Sequence, residues 1–416
     1  MRISVLAFVL FGSLFRAAAF DPWLPCSTGM PDTVQVFSLA KSAAYLYAGT
    51  AKTGIFRSPD GGASWRPMPS HPRFESTDTW GLAVIDTFVF AGQRGGGVLR
   101  IGEGEAAWME VTGAISSKMV QELHTAGRTL YAATMFGGVW QSDDYGASWS
   151  EVFGGKGIDD KIVYSLASNG TTLFCGTAGV NTAMPDTGVC FRAPLVGGNG
   201  WERINDGFIR NGAHLEAVSA MAASDDAVFA GTDDVGIFRS TDNGLHWKQA
   251  HITGDVHSIC IVGKIVYYGT SWAGAHTSTD DGLTWQANYA GIRRGNTTMP
   301  YLVKDFLVEE SIIYAATNLG VFRQRLPELP QAAAAAARPP TLAVRHYGGR
   351  LQVEASPHTT AVVRISVADA AGNIVFTAET DNRMQTFDVA SLPAGVYFCT
   401  ATAGTERAVA EFTLMK

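Results

Sequence analysis

Charge is scarce in this chain: 17% of its 416 residues are Asp, Glu, Lys or Arg, and the formal net charge is -7. No run of Lys and Arg offsets that balance, which excludes a nucleic-acid partner, because phosphate binding depends on clustered cations. Cysteine is scarce too. The count of five leaves at least one unpaired, and the spacing matches no zinc site, so no metal is expected. Long apolar runs are missing beyond the first residues, so no membrane-spanning segment is expected there. G-x-S-x-G, H-E-x-x-H and Walker patterns are absent. Serine-hydrolase, metalloprotease and nucleotidase chemistry therefore have no motif support, and no cofactor is expected.

What the chain does have is glycine, 46 residues of it, and tryptophan at regular intervals. Trp23, Trp65, Trp108, Trp149, Trp201, Trp247 and Trp285 recur at steps of 42, 43, 41, 52, 46 and 38 residues. Before each step the chain alternates in period two and breaks at small residues, as in YLYAGT then GIFR, or VFAGT then GIFR. Seven copies of this phrase occur, each preceded by a further strand such as VFSLA or VYSLA, and the first six are followed by one that starts at the Trp. The expected fold is all-β: a seven-bladed β-propeller with four-stranded antiparallel blades. Trp23 precedes the first complete unit and the seventh unit has no Trp behind it. The N-terminal segment is therefore expected to supply the outer strand of the last blade and close the ring.

Four of the tryptophans end an octapeptide: Ser58, Asp60, Gly62 and Trp65; Ser142, Asp144, Gly146 and Trp149; Ser240, Asp242, Gly244 and Trp247; Ser278, Asp280, Gly282 and Trp285. This pattern resembles the Asp-box, or BNR, repeat of sialidases, sortilin-type receptors, xyloglucan-hydrolysing propellers and photosystem assembly propellers. Ser and Asp can cap free amides in a tight turn, Gly can take positive φ, and Trp can pack between blades. The residues are read as structural. The resemblance implies that these turns lie on the face away from the ligand.

Residues 1–19 carry Arg2, an apolar stretch and Ala17-Ala18-Ala19, which reads as a signal peptide. The propeller is assigned to 20–325 and an Ala/Pro linker to 326–340. Residues 341–416 show short strands separated by turn signals, which predicts a small Ig-like β-sandwich. The tail resembles the type A C-terminal sorting domain of the type IX secretion system, through the Asp369-to-Gly372 turn, NIVF, and FDVASLPAGVY. That resemblance implies passage through the periplasm to the outer surface, with the type IX machinery as a partner. Cys175 and Cys190 stand on two strands of one hairpin, where either a cross-strand disulfide or two buried apolar thiols is expected.

If the octapeptide turns mark one face, the loops joining second to third strands, and one blade to the next, lie on the other. They hold Arg94, Trp272, Phe136, Asp233, Asp234, Arg210, Arg293 and Arg294, with Arg73, Trp80 and Tyr289 beside them. Arginines clamp carboxylates and aromatic faces stack on sugars or peptide side chains, so these residues are the candidate ligand contacts. The sialidase F-R-I-P signature is absent. The expectation is an exported, monomeric, non-catalytic propeller that binds a protein or glycan ligand through its loop face. The alternative is a secreted glycoside hydrolase of sialidase-like or xyloglucanase-like type, using two of the loop acids Asp159, Asp160, Glu216, Asp233 and Asp234.

Overall fold

The computed structural model describes residues 20–76, 78–153, 162–178, 189–195, 200–208, 210–211, 214–292, 302–327, 341–347, 350–356, 363–369, 373–380, 384–389, 391–403 and 406–414. Residues 1–19, where the sequence predicts a signal peptide, most of the expected linker, Arg293 and Arg294 lie outside them. The chain divides into two compact units, Met1–Pro327 and Glu328–Lys416.

The first unit holds seven four-stranded antiparallel sheets. Blade 1 is Val36–Lys41, Leu46–Thr50, Ile55–Ser58 and Arg66–Pro67. The innermost strands of blades 2 to 7 are Thr79–Ile85, Val120–Ala126, Val163–Ser168, Val218–Ala223, Val256–Val262 and Val303–Glu309. Each packs against the next, and Val303–Glu309 packs against Val36–Lys41, so the ring closes. Leu24–Pro25 pairs with Gly320–Arg325 as the outer strand of blade 7, Leu24 opposite Arg323. The second strand of each blade is covered on both faces by its neighbours. Such strands read as continuous runs of apolar and small residues rather than as an alternation, and Leu46–Thr50, Val228–Thr232 and Ile265–Thr270 are buried throughout.

The tryptophans stitch the blades together. Trp65, Trp108, Trp149, Trp201, Trp247 and Trp23 each donate the indole N–H to a carbonyl in or just past the preceding blade's outer strand: Cys26, Pro69, Val111, Val152, Ile204 and Asn288, at 2.6 to 2.9 Å. Trp285 is the exception. It donates to Gly282 of its own turn at 3.2 Å and is only half-buried. In all four octapeptides the Ser hydroxyl donates to the Asp two residues on and accepts the Gly amide, as in Ser240 to Asp242 at 2.7 Å and Gly244 to Ser240 at 2.9 Å. The Asp accepts the amide four residues on, from Ser64, Ser148, His246 and Thr284. Hydrogen bonds from Ser64 hold the Asp60 carboxyl down at about 2. Blade 2 lacks the Ser–Asp pair and uses Glu105 instead, which accepts the Gly102 amide at 2.8 Å.

The disulfide expectation fails by one residue. Cys175 pairs with Phe191, while Cys190 pairs with Gly176. One step along a strand turns a side chain to the other face, so the two side chains lie in different interblade clusters, both buried and not joined to each other. The extra residue of GVCFR relative to GIFR hides this slip. The stretch before Trp80 also departs from a simple loop: Pro72–Ser76 is a single helical turn that buries Phe74 edge-on against Trp108, ring centroids 5.2 Å apart.

The second unit has a three-stranded sheet (Thr341–Tyr347, Arg350–Ser356, Met384–Asp388) and a four-stranded one (Ile374–Thr380, Val363–Asp369, Gly395–Ala403, Glu406–Leu414). One core joins them, with Leu351, Val353 and Phe387 from the first and Ile365, Val367, Tyr397 and Cys399 from the second. The unit is a two-layer sandwich.

Candidate functional site: the mouth of the central channel

Every innermost strand slips its register by one residue immediately after its first position: between Val36 and Ser38, Thr79 and Gly81, Val120 and Glu122, Val163 and Ser165, Val218 and Ala220, Val256 and Ser258, and Val303 and Asp305. The residue left out of the ladder is Phe37, Trp80, Gln121, Tyr164, Ser219, His257 or Lys304. A bulge re-aims the extra side chain. All seven line one cavity of about 500 Å³ on the channel axis, together with Arg94, Met135 and Asp233. The residue before each bulge is β-branched and fully buried, an anchor that keeps the slip in place.

In six of the seven blades the residue after the bulge serves the ring. Ser38, Ser165 and Ser258 donate to carbonyls of Thr79, Val218 and Val303 on the next blade. Glu122 accepts the Leu166 amide at 2.9 Å, and Asp305 accepts the Leu39 amide at 2.7 Å across the closure between blades 7 and 1. Gly81 replaces a side chain with close approach, since a Cβ there would lie 2.7 Å from the Leu123 amide nitrogen. Burial raises the Glu122 carboxyl to about 8 and the Asp305 carboxyl to about 7.

At the mouth, Arg94 lies over Trp80 with its guanidinium carbon 4.5 Å from the ring centroid. Its backbone is clamped, with its amide donating to Asp78 at 2.9 Å and its neighbour Gly95 donating to Lys118 at 3.0 Å. Phe37 and Trp80 form one aromatic wall, centroids 6.0 Å apart. Opposite stand the charged blades. Ser219 donates to Asp233, and His257 is joined to Ser271, which donates to Asp255 at 3.3 Å. Burial and the Lys304 charge push His257 down to about 4, and burial also lowers Lys304. Asp233 is raised, again chiefly by burial.

Of the candidates named from sequence, the cavity therefore gathers Arg94, Asp233 and Trp80. Phe136 and Trp272 are 64% and 74% exposed and stand outside the cavity lining, and Asp234 is exposed at a loop tip. Arg210 starts the short strand Arg210–Asn211, and its side chain lies outside the description. Arg73 is committed to Glu110 at 2.6 Å and to the Gly96 carbonyl. The missed residues are the other six on the bulges: Phe37, Gln121, Tyr164, Ser219, His257 and Lys304. Their signal is a tetrad of β-branched, variable, small or acidic, and large apolar residues: VFSL, TWGL, VQEL, VYSL, VSAM, VHSI and VKDF. Among the described residues no cluster of three His, Cys, Asp or Glu is placed to hold a metal. No helix among them is long and apolar enough to cross a membrane.

Residues 348–414 match the model of the secretion system C-terminal sorting domain. The tail is a sorting domain. It directs the chain to export, at the cell surface or into the medium. No curated protein matches the chain. Among solved structures, YCF48 bound to D1 peptide is similar over 75% of this chain and 98% of its own, with a TM-score of 0.56 at 13% identity. YCF48 from Cyanidioschyzon merolae covers 74% and 99%, with a TM-score of 0.53 at 12% identity. PorZ, a surface component of the type-IX secretion system of Porphyromonas gingivalis, covers 94% of this chain and 61% of its own, with a TM-score of 0.52 at 14% identity. These likenesses show a shared propeller fold.

Proposed function

We propose that this protein is a non-catalytic surface propeller that binds a protein or glycan ligand at the channel mouth, delivered by type IX secretion. The observation that carries the reading is the ring of bulges, which turns one side chain per blade to the channel. A ring of this kind makes a composite site from seven chemically different groups, which suits recognition. A protein segment is favoured over a glycan. The similarly folded YCF48 takes a peptide, and the mouth offers an aromatic wall with separate hydrogen-bond donors and acceptors.

Of the loop acids named for the hydrolase alternative, Asp233 lines the cavity, while Asp159 and Asp160 lie outside the described residues; Glu122 and Asp305 are two further cavity acids, both with raised pKa. Each already accepts an amide of the next blade, and Asp305 accepts the Phe306 amide as well. Both acids therefore work for the ring. Assays of the full chain on sialyl-lactose, xyloglucan and aryl glycosides test this: no turnover is expected, and turnover abolished by Glu122→Gln in a folded variant overturns the non-catalytic reading. For ligand binding, Trp80→Ala is expected to abolish saturable binding to peptide or glycan arrays without unfolding the chain. Undiminished binding removes the mouth from consideration.

A further inference from the structure

Two cations of the mouth lack anionic partners. Neither Arg94 nor Lys304 makes a side-chain hydrogen bond or an ion pair among the described residues, although Arg94 is close enough to help depress Lys304. They flank the Phe37 and Trp80 rings: Lys304 is on blade 7, Phe37 on blade 1, and Trp80 and Arg94 on blade 2. Two further atoms of this arc are unsatisfied, the Trp80 indole N–H and the side-chain oxygen of Gln121, a residue only 8% exposed. Buried polar atoms are almost always paired, so an orphan donor and an orphan acceptor on two residues that both line the cavity mark a place for a polar ligand. Across the cavity Asp233 and Asp255 act on Lys304 from a distance, with no bond to it.

We propose that this arc is a carboxylate site, and that it receives the free C-terminal end of a protein chain inserted into the mouth. This rests on the protein-binding reading above. The terminal carboxylate lies between the Arg94 guanidinium and the Lys304 ammonium, where charge-assisted hydrogen bonds are strong. The last peptide units present a carbonyl to the Trp80 indole and an N–H to Gln121, and the apolar side chains lie on Phe37 and Trp80. A cavity of about 500 Å³ accepts a chain end rather than a folded surface. The carboxylates of Asp233 and Asp255 repel any second negative charge, so a ligand with one terminal charge fits better than a polyuronate.

The test uses the full chain and two arrays of the same random heptapeptides, one tethered by the N-terminus with free carboxylates and one tethered by the C-terminus. Neutral and uronate oligosaccharides are spotted beside them. Binding confined to the free-carboxylate array is expected. Arg94→Gln and Lys304→Gln each weaken the best peptide about tenfold or more, Lys304→Arg restores most of it, and the melting temperature is unchanged. Equal binding to both peptide arrays overturns the carboxylate anchor and leaves the protein-ligand reading standing. Binding to the oligosaccharides alone overturns both, and silence on every surface overturns the anchor.

Discussion

On the face that carries the octapeptide turns, four Ser–Asp pairs and four Gly amides repeat the same bonds at 2.7 to 2.9 Å. At the mouth, seven bulges repeat one backbone slip, yet their side chains are Phe, Trp, Gln, Tyr, Ser, His and Lys, seven residue types in seven blades. Where each blade does the same job, its residues are the same. Where the ring makes one asymmetric site, the backbone is held constant and the side chain varies. The residues flanking each bulge belong with the first group although they sit at the mouth, because they anchor the strand and bond the next blade.

That division can be broken most severely through pH. Unfolded, Glu122 and Asp305 ionise near pH 4, whereas folded they hold their protons to about 8 and about 7. Folding therefore takes up protons between these limits, so stability falls as pH rises from about 4 to about 8 and levels off above. Thermal unfolding across that range measures it, and Asp305→Asn is expected to flatten the curve. A curve left as it was would mean that Asp305 is not buried with its proton at the closure between blades 7 and 1.

Close behind comes Gly207→Ala. Gly207 has a φ of +96°, and a Cβ there would lie 2.0 Å from the Trp247 carbonyl oxygen. A loss of about 3 kcal/mol in denaturant unfolding is expected, from strain and displacement together. Trp247→Phe strands the Ile204 carbonyl and is expected to cost about 2 kcal/mol. Trp285→Phe should cost less than half as much, because that indole bonds only within its own turn. Equal costs for the two would mean that the interblade bond contributes little. Ser240→Ala is expected to cost about 1 kcal/mol while leaving ligand binding intact.

The smallest effect has the opposite sign. Phe136 holds a φ of +65° while exposed at a loop tip, so Phe136→Gly is expected to raise stability by up to about 1 kcal/mol. A loss of stability there would mean that the ring is held by contacts within the molecule.

The frame was legible because repetition makes it so. The Trp ladder predicts seven blades, and its phase predicts the pairing of Leu24–Pro25 with the last blade, which the register of Leu24 with Arg323 displays. The mouth was legible only where it uses loops, at Trp80, Arg94 and Asp233. Phe37, Tyr164, His257 and Lys304 read as ordinary strand residues, because a bulge shifts the alternation by one and period-two patterning assigns them to the wrong face. The same one-residue slip misplaced Cys190 against Cys175. Trp272 is a candidate by residue type and by its loop, and neither gives the direction of a side chain, which here stands outside the cavity lining. Seven aligned tetrads were needed to see that the second position never repeats.

Hydrogen exchange of the full chain, with and without the tightest-binding heptapeptide from the free-carboxylate array, tests the mouth most directly. Protection confined to peptides spanning 36–39, 78–82, 93–95, 119–122 and 303–305 is the expected result. Protection of the turns at 58–65, 142–149, 240–247 and 278–285, with the mouth unchanged, contradicts it.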